Sequence, residues 1–306
     1  MLKKEIDLFG NVIENDPILR DKFIEPPFTI IDTKTGSWRK RKKLWMQLGI
    51  KSEVGRPGMK TCNPKVQGTF AGKKMNLTAV SIFDPALCEV LYYWFCPPGG
   101  TILDPFAGGS VRGVVANKLG YRYTGIDIRQ EQIDSNREQA LDILELNNQP
   151  NWYVGDSNKL LAEWLSNAQN NEAQISAPHT LEKYDFIFSC PPYADLEVYS
   201  ELEDDISNMP YDKFLKLYEE IIDKSCRLLK PGGYACFVVG EVRDKNGHYL
   251  GFVPDTIKAF EKAGVKYYNE AILATMLGTA MMRASNSMKN KKLVKVHQNV
   301  LVFIKP

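Results

Sequence analysis

The chain has 306 residues, 44% of them apolar and 25% charged, with a formal net charge of +2, a composition that supports a single soluble globular protein. No apolar stretch approaches the roughly 20 residues of a membrane span, and Met1-Leu2-Lys3-Lys4-Glu5 lacks the apolar core of a secretory signal, so the expected location is cytoplasmic. The six cysteines form no Cys-x-x-Cys pair and the three histidines stand apart, which argues against a metal site and leaves reduced, mostly buried thiols as the expectation.

Residues 1–75 read as an N-terminal extension, broken by Pro26-Pro27, Gly36, Gly55-Arg56-Pro57-Gly58 and Asn63-Pro64. Within it Trp38, Leu44, Trp45, Leu48 and Ile50 recur at roughly helical spacing and predict a helix near 38–48 with its apolar side packed on the rest of the chain. The small net charge hides a division. There are 16 Lys/Arg against 8 Asp/Glu up to residue 75 and 23 against 29 beyond it, yet no acidic residue follows Glu270. A run such as Arg39-Lys40-Arg41-Lys42-Lys43 is ordinarily a solvated face. A second basic segment, with Arg283, Lys289, Lys291 and Lys292, makes a polyanionic partner the better expectation.

Residues 76–306 read as one α/β domain. Asp84 and Pro85 are a cap and a first-turn proline, predicting a helix through Phe95 that Pro97-Pro98-Gly99-Gly100 stops. A strand from Thr101 then enters the turn Asp104-Pro105-Phe106-Ala107-Gly108-Gly109-Ser110, which opens a helix over Val111 to Leu119. The two glycines allow close backbone approach. The spacing is not G-x-G-x-x-G and no lysine follows, so a dinucleotide or P-loop site is a poor fit. The second strand, Tyr121 to Ile128, puts Asp127 roughly 20 positions after the glycine turn, where a carboxylate accepts hydrogen bonds from ribose hydroxyls. A helix to about Asn147 follows, then a third strand, Trp152 to Val154, ending in Gly155-Asp156-Ser157, and a polar excursion over 164–181. A lone Asp at a strand end is more often a turn or cap residue; several successive strands ending this way point to a site.

The fourth strand, Tyr184 to Phe188, runs into Cys190-Pro191-Pro192-Tyr193. Two prolines cannot continue a ladder, so the chain is held in a rigid extended turn at a strand end, presenting a thiol, two uncommitted carbonyls and an aromatic ring. That set can grip a flat base by its amino group and stack on its face. An acid-rich loop over the site at 194–209 comes next, followed by a helix over Tyr211 to Leu229, a turn at Lys230-Pro231-Gly232-Gly233 and a strand over Tyr234 to Gly240. The chain closes with a helix over Phe252 to Ala263, a strand over Val265 to Ala274, a basic excursion at 275–295 and a final strand over Asn299 to Ile304. The expected fold is a seven-stranded, doubly wound, Rossmann-like α/β sheet with a basic N-terminal extension.

The turn at Asp104 to Ser110 and the Cys190-Pro-Pro-Tyr turn resemble the cofactor and catalytic loops of the S-adenosylmethionine-dependent DNA amino-methyltransferases, which act on N6 of adenine or N4 of cytosine. Ser81-Ile82-Phe83-Asp84-Pro85 resembles the segment preceding that family's cofactor strand. Gly36-Ser37-Trp38-Arg39-Lys40-Arg41-Lys42 resembles a Gly-x-Trp-x-x-Arg-Lys stretch ahead of the methylase domain in phage and bacterial-host methylases, including those of restriction–modification systems. The resemblance implies S-adenosyl-L-methionine as cofactor, touched by Phe83, Asp104, Phe106, Ala107, Gly108, Gly109, Asp127, Ile128, Asp156 and Ser157. It puts Asp127 on the ribose hydroxyls and Asp156 on the adenine amino group. Double-stranded DNA is the implied partner, met by Arg39, Lys40, Arg41, Lys42 and Lys43 and by Arg283, Lys289, Lys291 and Lys292. Cys190, Pro191, Pro192 and Tyr193 are the implied catalytic residues, with Tyr193 stacked on an extruded base.

Two positions depart from the family pattern. Gly109-Ser110 reverses the usual Ser-Gly, and Cys190 stands where Asp, Asn or Ser is usual. A thiol is a weak acceptor, so the Pro191 carbonyl would carry more of the hydrogen bonding; the shape of Cys, nearest to Ser, tilts the expectation toward N4 of cytosine. A C5-cytosine mechanism would place a nucleophilic Cys after a proline, whereas Cys190 precedes two. An RNA or protein-glutamine methyltransferase could use the same turn, and a DNA-binding protein with a degenerate site is the non-catalytic alternative.

Overall fold

The computed structural model describes residues 22–51, 83–170, 183–192, 205–275 and 280–306, plus the two-residue strands Glu5–Ile6, Val12–Ile13, Thr69–Phe70 and Lys73–Lys74. In chain order the larger elements are β1 (Ile30–Asp32), α1 (Gly36–Gln47), α2 (Pro85–Phe95), β2 (Thr101–Asp104), α3 (Val111–Lys118), β3 (Arg122–Asp127) and α4 (Gln130–Ile143). There follow β4 (Asn151–Val154), α5 (Ser157–Asn170), β5 (Tyr184–Ser189), α6 (Tyr211–Leu228), β6 (Leu229–Val239), α7 (Phe252–Lys262), β7 (Lys266–Ala274), α8 (Ala280–Lys289) and β8 (His297–Ile304).

One sheet contains all eight of these strands in the order β1-β7-β8-β6-β5-β2-β3-β4. β8 runs antiparallel to both β6 and β7, and the other ladders are parallel. The central strands β2, β5 and β6 are near-continuous apolar runs because helices cover both faces of the sheet. One layer buries Trp38, Trp45, Tyr92, Phe186 and Phe188 with residues of α1 to α4; the other buries Phe214, Tyr218, Phe237, Phe252 and Phe260 with residues of α5 to α7. The chain winds outward through β2, β3 and β4, then crosses back to β5 beside β2. The winding reverses between β2 and β5, and ligands of such sheets bind at the carboxyl ends of strands beside that reversal.

Seven of the eight strands match expectation. β1, inside the N-terminal extension, is the eighth: it adds to the sheet edge along Ile272–Ala274. The helix expected near 38–48 is α1, and Trp38 and Trp45 are fully buried in it. Part of the polar excursion expected at 164–181 is helical, since α5 continues to Asn170 and buries Leu161 and Trp164 beneath it. The basic excursion after β7 contains α8. Residues 194–204 of the loop expected over the site lie outside the described residues; its end forms a short 3-10 turn at Ile206–Asn208, capped by the Asp205 carboxylate. Among the described residues no helix is long and apolar enough to cross a membrane, and no cluster of His, Cys, Asp or Glu could hold a metal ion.

Candidate active site

The carboxyl end of β2 is organised by Asp104, which is fully buried. Its Oδ2 accepts from Arg112 Nε at 2.5 Å and the Tyr123 hydroxyl at 2.6 Å, and its Oδ1 from the Ser189 hydroxyl at 2.5 Å and the Phe106 N–H at 3.2 Å. A buried carboxylate is tolerated only with such partners. Arg112 also donates to the Phe106 and Ala107 carbonyls, at 2.7 and 2.8 Å, and so fixes the turn from beneath. Burial works against its charge, but Asp104, then Tyr123 and Cys190, hold the guanidinium protonated above its ordinary range. Burial, reinforced by Asp104, also keeps the Tyr123 phenol neutral, well above its usual pKa. Asp104, expected among the cofactor contacts, therefore braces the turn from below.

Gly108 adopts φ 52°, a left-handed conformation natural to glycine. Its N–H donates to Asp127 Oδ2 at 3.0 Å and its carbonyl accepts from Asn136 at 2.7 Å, while the Ala107 N–H donates to the Ile126 carbonyl at 2.9 Å. The glycine turn and the end of β3 are thus one unit. Asp127 also accepts from the Arg129 N–H at 2.9 Å, and Ile128 and Gly109 beside it are half-buried. The displaced hydroxyl of Ser110 is buried and donates to Gln139 at 3.1 Å, away from the turn's open side. At the end of β4 the Asp156 carboxylate caps the start of α5, accepting from the Asn158 N–H at 2.8 Å. The Ser157 hydroxyl donates to the Pro105 carbonyl at 2.6 Å and draws this third strand end against the glycine turn.

The Cys-Pro-Pro turn leaves β5 immediately beside this assembly, since β5 pairs in parallel with β2 and Ser189 is bonded to Asp104. Cys190 and Pro192 are half-buried and Pro191 is buried; Tyr193 lies outside the described residues. Cys190 acts electrostatically on Arg112 in one helix layer and on Tyr218 in the other. The other described cysteines are buried, and burial pushes the Cys96 and Cys226 thiols up to about 12. Phe83 sets its ring edge-on to Phe188 at 5.7 Å and beneath the Arg112 guanidinium at 4.8 Å, whereas Phe106 packs against Tyr218 and Phe237 at 5.9 and 6.3 Å. Two aromatic rings from opposite layers therefore flank the turns. Ala107, expected among the cofactor contacts, is fully buried with its N–H on the Ile126 carbonyl and its carbonyl on Arg112, so it lies beneath the turn.

The basic residues divide. Arg39, Lys40 and Lys43 are exposed on α1. Arg41, expected among the phosphate contacts, is buried: its Nε donates to Glu89 Oε2 at 2.8 Å and its Nη2 to Oε1 at 2.5 Å, with Trp45 Nε1 on the same carboxylate at 2.7 Å. Lys42 and Trp38 Nε1 both reach Asp84 Oδ2 at 3.1 Å, so Lys42 is also committed. The Gly-x-Trp-x-x-Arg-Lys stretch is thus the clamp that fastens α1 to the two carboxylates of α2. Arg283, Lys289 and Lys291 are exposed, and Lys292 is half-buried against Gly247. Thr33 bonds to the Ala274 carbonyl at 3.1 Å, so α1 and the segment carrying α8 leave the sheet at one corner. The residues the sequence did not single out are Arg112, Tyr123, Asn136 and Ser189. Arg112 carried the clearest signal, as a cation in the first turn of the helix opened by the glycines.

Residues 61–138 match the profile of a family of DNA methylases, the N6/N4 methyltransferases; the span includes the glycine turn, Asp104 and Asp127. No curated protein matches the chain. Among solved structures it is similar to TrmN from Thermus thermophilus, at 16% identity and a TM-score of 0.45 over 73% of this chain and 49% of that one. It is similar to a TehB-like SAM-dependent methyltransferase from Corynebacterium glutamicum, at 19% identity and 0.39 over 72% and 86%. A candidate DNA modification methylase, also from Thermus thermophilus, is matched at 20% identity and 0.32 over 49% and 50%. At these TM-scores the structural likenesses carry no weight for function. Over residues 61–138, which carry the glycine turn within the sheet described above, the chain is similar to the N6/N4 DNA methylases.

Proposed function

We propose that this protein transfers a methyl group from S-adenosylmethionine to the exocyclic amine of a base flipped out of duplex DNA. The observation that carries the reading is the junction of the two turns: Ser189, next to Cys190, is hydrogen-bonded to Asp104, on which the glycine turn is built. The residues present fit the cofactor. The turn has no side chain at 108 or 109, carboxylates stand at two neighbouring strand ends, and Phe83 and Phe106 supply apolar walls. When bound, S-adenosylmethionine supplies an electrophilic methyl on a sulfonium.

The chain's own part is positioning and polarisation. An amine conjugated to its ring is a poor nucleophile. The Cys190 side chain and the Pro191 carbonyl would accept its N–H bonds, draw the nitrogen toward tetrahedral geometry and free its lone pair. The two prolines hold these acceptors without conformational freedom, and Tyr193 would stack on the base. The resemblance of Cys to Ser favours N4 of cytosine over N6 of adenine. The exposed cations Arg39, Lys40, Lys43, Lys289 and Lys291 would hold phosphates and Arg283 would also meet the DNA, with residues 1–75 acting as a DNA-contacting extension of the catalytic domain at 76–306.

Mass spectrometry of nucleosides from DNA of cells expressing the protein tests this. N4-methylcytosine is the expected product. N6-methyladenine keeps the mechanism and reverses the base preference. Unmodified DNA alongside methylated RNA or methylated protein glutamine moves the substrate to those classes.

A further inference from the structure

We infer that α8 reads the target sequence in the DNA major groove; the inference rests on the DNA-methyltransferase reading above. α8 stands out from the molecule. Of its described side chains only Ala280 is buried, and Met281, Met288 and the nearby Leu293 are 70%, 60% and 80% exposed. No acidic residue follows Glu270, so every charge carried by the helix and its flanking segment is positive. A free-standing cationic helix is shaped for a groove that admits one α-helix and is lined by phosphates.

Its position suits that role. α8 connects the end of β7 to the start of β8, and Asn299 of β8 pairs with Val239 of β6, while Phe237 of β6 pairs with Ser189 of β5. The helix therefore rises from the rim that carries Cys190, over a strand two ladder spacings away, about 10 Å. Its outer face has base-reading chemistry. Arg283, Asn286 and Asn290, at i, i+3 and i+7, share one side and are all exposed. Arg pairs with guanine and Asn with adenine at the major-groove edge.

The helix end is braced. The Asn290 and Lys292 N–H groups bond to the Ser287 carbonyl and the Lys291 N–H to that of Met288, and Lys291 adopts φ 52°. Glycine takes that conformation more easily, yet a cation occupies it. Lys292 lies against Gly247, in a hairpin where the Arg243 guanidinium stacks on Tyr249 at 3.8 Å. The hairpin leaves β6 at the same rim and supports α8 from below.

The test maps methylated positions by single-molecule sequencing of unmodified genomic DNA treated with the full chain and S-adenosylmethionine. Against wild type, R283A/N286A is expected to lose tenfold or more of its discrimination at one or more positions of the modified motif, with an unchanged melting temperature. R283K/N286Q, which keeps the charge and the amide but not the geometry of either head group, is expected to relax the same positions. K289Q/K291Q is expected to weaken modification at all sites without altering the motif. An unchanged motif in R283A/N286A overturns the inference, as does a uniform loss at every site, which makes α8 a phosphate grip. A wild-type protein that leaves DNA unmodified overturns the DNA reading itself and this inference with it.

Discussion

Cys190 is the residue on which the proposed chemistry turns, and its weakness as an acceptor sets a measurable expectation. If it accepts one N–H bond from the target amine, removal should cost about 0.5–1.5 kcal/mol in the transition state, roughly a two- to thirteenfold fall in kcat for Cys190→Ala. Cys190→Ser, a stronger acceptor of similar shape, should match or exceed wild type. Both variants should bind S-adenosylhomocysteine unchanged by calorimetry, and a loss of that binding would put Cys190 in the cofactor pocket instead. Asp185, at the far end of β5, gives a pH expectation. Burial raises its pKa, but the Lys230 ammonium and the Thr101 N–H and hydroxyl outweigh burial and leave the carboxyl below its ordinary value. The unfolded chain then binds more protons than the native one between the two pKa values. The stabilisation is full above about pH 4 and is lost as pH falls through the folded value. Asp185→Asn should flatten the acid limb of the stability profile and leave the alkaline limb alone. At this scale the sequence located residues whose position follows from their place at a strand end, such as Gly108, Asp127 and Asp156. It did not reveal the partners of Asp104, because Arg112, Tyr123 and Ser189 converge only once three strands are assembled.

Among the elements, α1 separates two roles that a run of five cations merges. Trp38, Arg41 and Trp45 stand at i, i+3 and i+7, one buried face, so Arg41 was identifiable as an inward residue by the spacing that located the helix. What the sequence could not supply was Glu89, 48 positions away and fully buried. Removing one partner of a buried ion pair strands the other charge, and Glu89→Ala should cost about 3–5 kcal/mol of stability. The double variant Arg41→Met/Glu89→Leu should recover much of that in urea denaturation; if it is as unstable as the single variant, the pair is not the source of the loss. The exposed set behaves differently. Converting Arg39, Lys40 and Lys43 to Gln should leave the melting temperature unchanged and lower affinity for all DNA sequences alike. The slope of log affinity against log salt should flatten by up to about 3 units, at about 0.9 per lost phosphate contact. An unchanged slope would make these residues surface decoration.

For the molecule as a whole, seven of the strands were legible, most of them as apolar runs closed by a glycine, proline or carboxylate. The eighth strand was not, since three residues in a Pro-rich extension carry no periodicity. Tying three strand ends to one turn should make the cofactor stabilise the whole fold. S-adenosylhomocysteine at about a hundred times its Kd should add roughly 2.7 kcal/mol by mass action, seen as a rise of several degrees in melting temperature. Asp127→Ala should abolish most of that rise. Asp127→Asn, which retains an acceptor for the Gly108 N–H, should keep part of it; equal loss in both would assign the effect to the carboxylate charge.

β1 has a consequence for solubility. An open strand edge is a template for pairing with another chain, and β7 offers one nine residues long. Its first half is protected by its own composition, with exposed Lys266 and Glu270 and a break in register between Tyr267 and Asn269. The apolar end, Ile272-Leu273-Ala274, has no such guard and is covered by β1. A chain shortened past residue 35 should therefore self-associate through that bared edge, and light scattering would show aggregation before any assay registered a loss of catalysis.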